Sequence, residues 1–190
     1  MNYKAIIFDF YGVVSSEVGI VWLKSKFGDE KAKEIEKRYG PIADKEEITE
    51  EELFEAMGKL AQEDPKEVRK AWLKLAVINR GVIELIKKLK ANYKIILLSN
   101  ATRPFFEQLM EENNLKKLFD DIVVSFEIKA IKPEPKIYRI ALERSGLSPE
   151  ETIFIDDREE NIKASEALGI KSILFIDTES LEIELRELGI

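Results

Sequence analysis

Five short runs of Ile, Val, Leu and Phe, near residues 4–9, 94–98, 121–126, 152–156 and 171–176, constrain this chain more than any other feature. None alternates apolar with polar. Each therefore reads as a strand buried on both faces, the habit of parallel sheets covered by helices. Helical patterns follow the second to fifth runs, near 103–113, 135–145, 159–168 and 179–188. This alternation implies an α/β fold, a doubly wound, Rossmann-like parallel sheet of five strands. Gly146 and Gly169 stand where helix-ending glycines belong.

Between 15 and 80 the strand–helix rhythm stops. Helical patterns near 16–27, 29–39, 49–62 and 65–77 take its place. Thr49 with Glu52 forms a capping-box pattern, and Pro65 after Asp64 suits a first helical turn. Gly40-Pro41 is expected to break the segment in two. The reading is a small helical cap, residues 15–80, inserted after the first strand of a core formed by 1–14 and 81–190. A helix near 81–91 returns the chain to that core.

With 190 residues, 45% apolar and 35% charged, the chain can bury one core and is globular rather than disordered. It has no Cys and no His, which removes disulfides, thiol nucleophiles, Ser-His triads and His-ligated zinc. Carboxylates, Lys, Tyr and hydroxyls remain for chemistry. The net charge of -7, with acids and bases interspersed, argues against nucleic acid as a partner. No stretch is long and apolar enough to cross a membrane, and the first strand follows the start with no charged-then-apolar leader. A soluble, cytoplasmic protein acting on a small molecule is expected. Oligomeric state carries no sequence signal.

Open α/β sheets bind ligands at the carboxyl ends of their strands, and four of the runs end in polar residues. Asp9 ends the first, Ser99-Asn100 the second and Asp156-Asp157 the fourth, while Lys132-Pro133 follows the third. Asp9 is a candidate nucleophile. Ser99 and Asn100 suit an anion cradle, or more simply a helix cap ahead of Pro104. Lys132, held extended by Pro133, should project toward Asp9. Lys129 and Lys136 are alternatives that read as surface lysines, and Tyr138 reads as core packing. Asp156 and Asp157 beside Asp9 would crowd three acids around one lysine unless a hard divalent cation such as Mg²⁺ sat among them. Alternatively one of the pair caps the following helix.

The ordered segments Asp9-Phe-Tyr11-Gly12-Val, Leu98-Ser99-Asn100, Lys132-Pro133-Glu-Pro135-Lys-Ile-Tyr138 and Phe154-Ile-Asp156-Asp157-Arg-Glu-Glu-Asn161 resemble the four motifs of the haloacid dehalogenase superfamily. The resemblance covers residues 4 to about 177. It implies a helical cap and a Mg²⁺-dependent phosphatase that forms an aspartyl-phosphate on Asp9. Asp9, Asp157 and the main-chain carbonyl of Tyr11 would be the direct metal ligands, with Asp156 auxiliary. Ser99, Asn100 and Lys132 would hold the substrate anion.

One position departs from the phosphatase pattern. Tyr11 stands where most phosphatases of the superfamily carry a second Asp that protonates the leaving group, and a phenol matches that work poorly at neutral pH. Asp-x-Tyr-Gly resembles the 2-haloacid dehalogenase branch, which works without metal and needs no leaving-group proton. The acid pair at 156 and 157 favours phosphatase. A non-catalytic, phosphate-binding regulatory descendant is the third reading, and a phospho-accepting receiver fits less well. As a phosphatase, the enzyme is expected to prefer stable leaving groups unless Glu17 or Asp156 supplies the proton. Trp22, Arg38, Tyr39 and Lys45 are cap residues that could meet substrate, although packing and surface charge explain each more simply.

Overall fold

The computed structural model describes residues 3–190, so Met1 and Asn2 of the expected core lie outside the described residues. Strand β1 (Ala5–Phe8) is followed by four helices, α1 (Gly19–Phe27), α2 (Asp29–Asp44), α3 (Glu50–Ala61) and α4 (Pro65–Leu75). Helix α5 (Arg80–Leu89) leads into β2 (Lys94–Ser99). The remainder alternates: α6 (Arg103–Glu112), β3 (Asp121–Val124), α7 (Ser125–Ile128), α8 (Pro135–Ser145), β4 (Thr152–Asp156), α9 (Glu159–Glu166), β5 (Lys171–Leu174) and α10 (Thr178–Glu187).

The strands form one parallel sheet in the order β3-β2-β1-β4-β5. Successive residues point to opposite faces, and both faces are apolar, as the unalternating runs require. Ile6, Phe8, Ile95 and Leu97 pack toward α5, α6 and α10. Ala5, Ile7, Ile96 and Leu98 pack toward α8 and α9. From β1 the chain winds outward through β2 to β3, then crosses to the other side of β1 for β4 and β5. That reversal opens a crevice at the carboxyl ends of β1 and β4. The register pairs Phe8 with Ile155, which sets Asp9 beside Asp156 at the mouth of the crevice.

Helices α1 to α4 stand over this edge on a narrow neck. Ser15 bridges Tyr11 on one side and Ile78 on the other, and the Asn79 amide donates to the Val14 carbonyl at 2.9 Å. The insertion has no separate core. Trp22, Leu53, Phe54 and Met57 are buried in the apolar cluster that also holds β1 and α6. The Thr49–Glu52 capping box is present, with both bonds made. Asp64 accepts from the Lys66 amide at 2.8 Å ahead of Pro65. Gly146 ends α8 in the left-handed region at φ 71°, and Gly169 also has a positive φ, 85°.

Two expectations are corrected. Gly40-Pro41 does not break α2, which runs on to Asp44 with Pro41 inside it. Proline forfeits one bond to the preceding turn, but the last turn closes beyond it through Lys45 N–H to the Pro41 carbonyl at 3.2 Å and Glu47 N–H to the Ile42 carbonyl at 2.8 Å. Burial of Ala43 anchors that turn. The apolar run at 121–126 is a strand only to Val124, because Ser125 and Phe126 open the one-turn helix α7.

Several contacts tie the insertion to the sheet layer. Lys45 pairs with Glu134 at 2.6 Å, and Glu46 pairs with Arg103 and Lys129, both at 2.8 Å. Glu50 accepts the Phe105 amide at 2.6 Å, capping α6 from the other side of the cleft, and is itself paired with Arg69 at 2.7 Å. Exposed pairs of this kind contribute little singly; the shielded Glu50 contact is the firmer tie. The sheet interior sets overall stability. Ile96→Ala should cost about 2–5 kcal/mol in urea unfolding, whereas Val77→Ala, at a side chain 64% exposed, should stay within about 0.5 kcal/mol. Equal effects at the two positions would contradict this core.

Candidate active site

Asp9 leaves β1 with its amide still in the sheet, donating to the Ile155 carbonyl at 2.9 Å. Its Oδ1 accepts from the Phe10 amide at 2.6 Å and meets the Lys132 ammonium at 2.5 Å. Both partners fall on one oxygen, so among the described residues Oδ2 carries no hydrogen bond. Lys132 reaches Asp156 as well, at 2.7 Å. The ammonium is almost fully buried between two carboxylates. Burial works to strip its proton, but Asp156 and Asp9 outweigh that and hold its pKa above the ordinary lysine value.

Two clamps set this geometry. The Asn100 side chain donates to the Lys132 carbonyl at 3.0 Å and accepts its amide at 2.7 Å. The lysine backbone is thereby fixed to the end of β2, and the Lys132–Pro133 peptide is cis. Asp156 is saturated: besides Lys132 it accepts from the Arg158 amide at 2.9 Å and twice from Asn161 Nδ2, at 2.9 and 3.0 Å. It thus binds the amide two residues on, but the N-cap of α9 is Arg158 and carries no side-chain cap bond, so neither acid of the pair caps that helix as the alternative expected. Tyr138 is buried against Phe154 and donates to the Asn161 carbonyl at 3.2 Å, as a packing residue should. Asn161 is a positioning residue whose signal in the sequence was only its place five residues after Asp156.

Asp157 is different. Its Oδ1 is buried without a hydrogen-bond partner, and its carboxylate lies against the Cα of Gly12. A Cβ at position 12 would stand 2.2 Å from Asp157 Oδ2, and φ there is +87°. Residue 12 must be glycine on both counts. Asp9, Asp156 and Asp157 each present a ligand atom, all within 4.8 Å of one another. Burial first, then the neighbouring acids, pushes the carboxyls of Asp9 and Asp157 above the ordinary range, although Lys132 pulls both down. One ammonium does not balance three carboxylates. A hard, oxygen-ligated divalent cation supplies the missing charge and occupies the orphaned oxygen, so the donor set fits the metal expected from the sequence.

Ser99 is fully buried, its hydroxyl donating to the Asn100 carbonyl at 3.2 Å. Asn100 lines the cleft, yet its side-chain amide is engaged with Lys132 rather than directed at a ligand. The remaining lysine alternatives face elsewhere: Lys129 pairs with Glu46 and Lys136 donates to the Ile128 carbonyl. Tyr11 lines the cavity, and its phenol is pushed well above its usual pKa by burial and then by Asp44, Glu17, Glu50 and Asp9.

Above these residues lies a cavity of about 610 Å³ between the sheet edge and the helical insertion. Tyr39 lines it, whereas Trp22 is packed against Phe27 and Trp72. Arg38 lies over the Tyr39 ring, and Lys45 is engaged with Glu134. Two groups that the composition did not single out also face the cavity. Arg158 spans it to Glu36 at 2.7 Å and Glu17 at 3.6 Å. Asp44 lines the wall near them. Burial raises the Asp44 carboxyl from 3.8 to about 7 and that of Glu17 from 4.5 to about 7, against the pull of Arg158.

The model of the family described as haloacid dehalogenase-like hydrolase matches residues 6–175. The chain is 27% identical over 187 residues to D-ribitol-5-phosphate phosphatase of Bacteroides thetaiotaomicron, covering 89% of this chain and 90% of that one. It is 22% identical over 191 residues to (S)-2-haloacid dehalogenase 4A of Burkholderia cepacia, covering 90% and 81%. A HAD family enzyme from B. thetaiotaomicron, solved with magnesium and inorganic phosphate, superposes with TM-score 0.75 at 27% identity, over 91% of this chain and 94% of that one. Two other curated relatives are matched over only 28% and 54% of their own length.

Two outcomes follow from the geometry. Gly12→Ala should fold but bind Mg²⁺ at least about tenfold more weakly in calorimetry; unchanged affinity would mean that Asp157 is not a ligand. The raised carboxyls of Asp44 and Glu17 make a contribution to stability that is full below their unfolded pKa values and is lost as pH climbs through about 7. In EDTA, Asp44→Asn should therefore gain melting temperature over the parent progressively from pH 4 to 8. A constant offset across that range would show an unperturbed carboxyl.

Proposed function

Because the chain belongs to the haloacid dehalogenase-like hydrolase family, we propose that it is a Mg²⁺-dependent phosphatase hydrolysing a small phosphomonoester through an aspartyl-phosphate on Asp9. The observation that carries this reading is the unpartnered Asp157 oxygen beside Asp9. Halide displacement requires no such oxygen, and a buried, unpaired carboxylate is costly without a cation. Relatives and a neighbouring structure described by phosphorylated substrates, magnesium and phosphate support it.

Residues 1–14 and 81–190 form the catalytic core in this reading, and 15–80 the cap. Asp9, Asp157 and the main-chain carbonyl of Tyr11 would hold Mg²⁺, with Asp156 fixing Lys132 rather than ligating directly. When bound, the cation neutralises charge on the substrate phosphate and keeps Asp9 ionised. Asp9 then presents Oδ2, the oxygen without a hydrogen bond, to phosphorus while Phe10 N–H and Lys132 hold Oδ1. Lys132 offers donors to the phosphoryl oxygens, whereas the Ser99 hydroxyl, expected to join it, is buried on the Asn100 carbonyl. Asn100 serves by holding Lys132 in place.

Dehalogenation is the second reading, favoured by Tyr11 and by the relationship to the Burkholderia enzyme. Phosphate release from p-nitrophenyl phosphate, run beside chloride release from 2-chloropropionate, separates the two. Phosphate release should require Mg²⁺ and stop in EDTA. Asp9→Asn should keep the fold by circular dichroism and lose turnover by roughly 10⁴-fold or more. Chloride release in EDTA would replace this reading with dehalogenation, and phosphoryl-Asp9 that accumulates without turnover would replace it with a regulatory role.

A further inference from the structure

A phosphatase of this design has to protonate the departing oxygen unless that oxygen is already a stable anion. Tyr11, the residue in the expected place, has its phenol pushed further from neutrality than in water. Asp156 accepts from three different groups and has nothing to give. Glu17 faces the cavity but is drawn to Arg158. Asp44 remains. It lines the same cavity as Asp9 and Lys132, and among the described residues no hydrogen bond or ion pair takes up its carboxylate.

Its placement is also electrostatically unfavourable for a charged acid. Asp44 is the final residue of α2, at the negative end of the helix, in a last turn with no basic side chain. That turn is held firmly. Ala43 is 3% exposed, and Lys45 is paired at 2.6 Å with Glu134, two residues beyond Lys132. The continuation of α2 through Pro41 is what carries Asp44 over the site. Burial is the first cause of its raised carboxyl, and Glu36 and Glu17 add to it against the pull of Arg158.

We propose that Asp44 is the catalytic acid and base of this enzyme, contributed by the cap in place of the core residue that Tyr11 replaces. The proposal rests on the phosphatase reading above. As Asp9 attacks phosphorus, the bond from phosphorus to the leaving oxygen breaks and its electron pair stays on that oxygen. The leaving oxygen takes the Asp44 proton and departs as an alcohol. Asp44, now a carboxylate, accepts a proton from water as the water oxygen attacks the aspartyl-phosphate. The Asp9–phosphorus bond then breaks, and inorganic phosphate leaves with both acids restored. Because the acid sits on the cap, protonation is available only when the cap covers the site.

The test compares kcat/KM for ethyl phosphate, whose leaving group needs a proton, with that for p-nitrophenyl phosphate, whose leaving group does not. Asp44→Asn should lower the ethyl-to-aryl ratio by about 10²-fold or more, and Glu17→Gln should leave the ratio at its parent value. If Asp44→Asn folds poorly, Asp44→Gly with added formate should recover ethyl phosphate turnover. The proposal is overturned if Asp44→Asn lowers both esters equally, if Glu17→Gln is the variant that shifts the ratio, or if the parent hydrolyses the aryl ester alone. Phosphate release from neither ester would instead overturn the phosphatase reading, and this proposal with it.

Discussion

The buried ammonium of Lys132, between Asp9 at 2.5 Å and Asp156 at 2.7 Å, is the contact on which the rest of the site depends. It joins three separate pieces of chain: the ends of β1 and β4 and the loop after α7. Removing one partner of such a group leaves an uncompensated buried charge, which costs far more than the pair itself contributes. The fold answers by fixing every participant. Asn100 holds the lysine backbone, Asn161 and the Arg158 amide hold Asp156, and the Phe10 amide holds Asp9. Asp157 is left out of this network, and its freedom is what makes a cation site beside it intelligible.

Much of this was legible in the sequence because parallel sheets advertise themselves. Unalternating apolar runs ending in polar residues report both the strands and the edge on which ligands sit. Asp9, Asp156 and Asp157 were legible at strand ends and Lys132 in the loop after the third, and these four side chains lie together, while Ser99 is buried on the Asn100 carbonyl. What stayed hidden was allocation. The spacing of Asn100 does not tell whether its amide meets an anion or the Lys132 backbone, and the adjacency of Asp156 and Asp157 does not tell which of them is saturated. Those depend on contacts between residues 24 to 32 positions apart in sequence.

Helix α2 shows why the insertion was harder to read. Gly40-Pro41 is a local signal for an ending, yet the helix continues, because the turn closes again beyond Pro41 and buries Ala43. Local propensity yields to tertiary contact where the contact serves a placement. The single extra turn is the segment that brings Asp44 to the cavity.

The insertion and the sheet layer are thus coupled in a specific manner. Glu50 on α3 caps α6 through the Phe105 amide, and Arg158, the residue after Asp157, spans the cleft to Glu36 on α2. One face of the cavity carries Asp9 and the ammonium paired with it. The other carries Asp44 and Glu17, whose carboxyls burial raises to about 7. Were the insertion to lift from the sheet edge, Asp44 and Glu17 would lose the burial that raises them and return toward ordinary carboxylate values. On the proposal above, closure of the insertion would supply the acid together with the geometry that uses it.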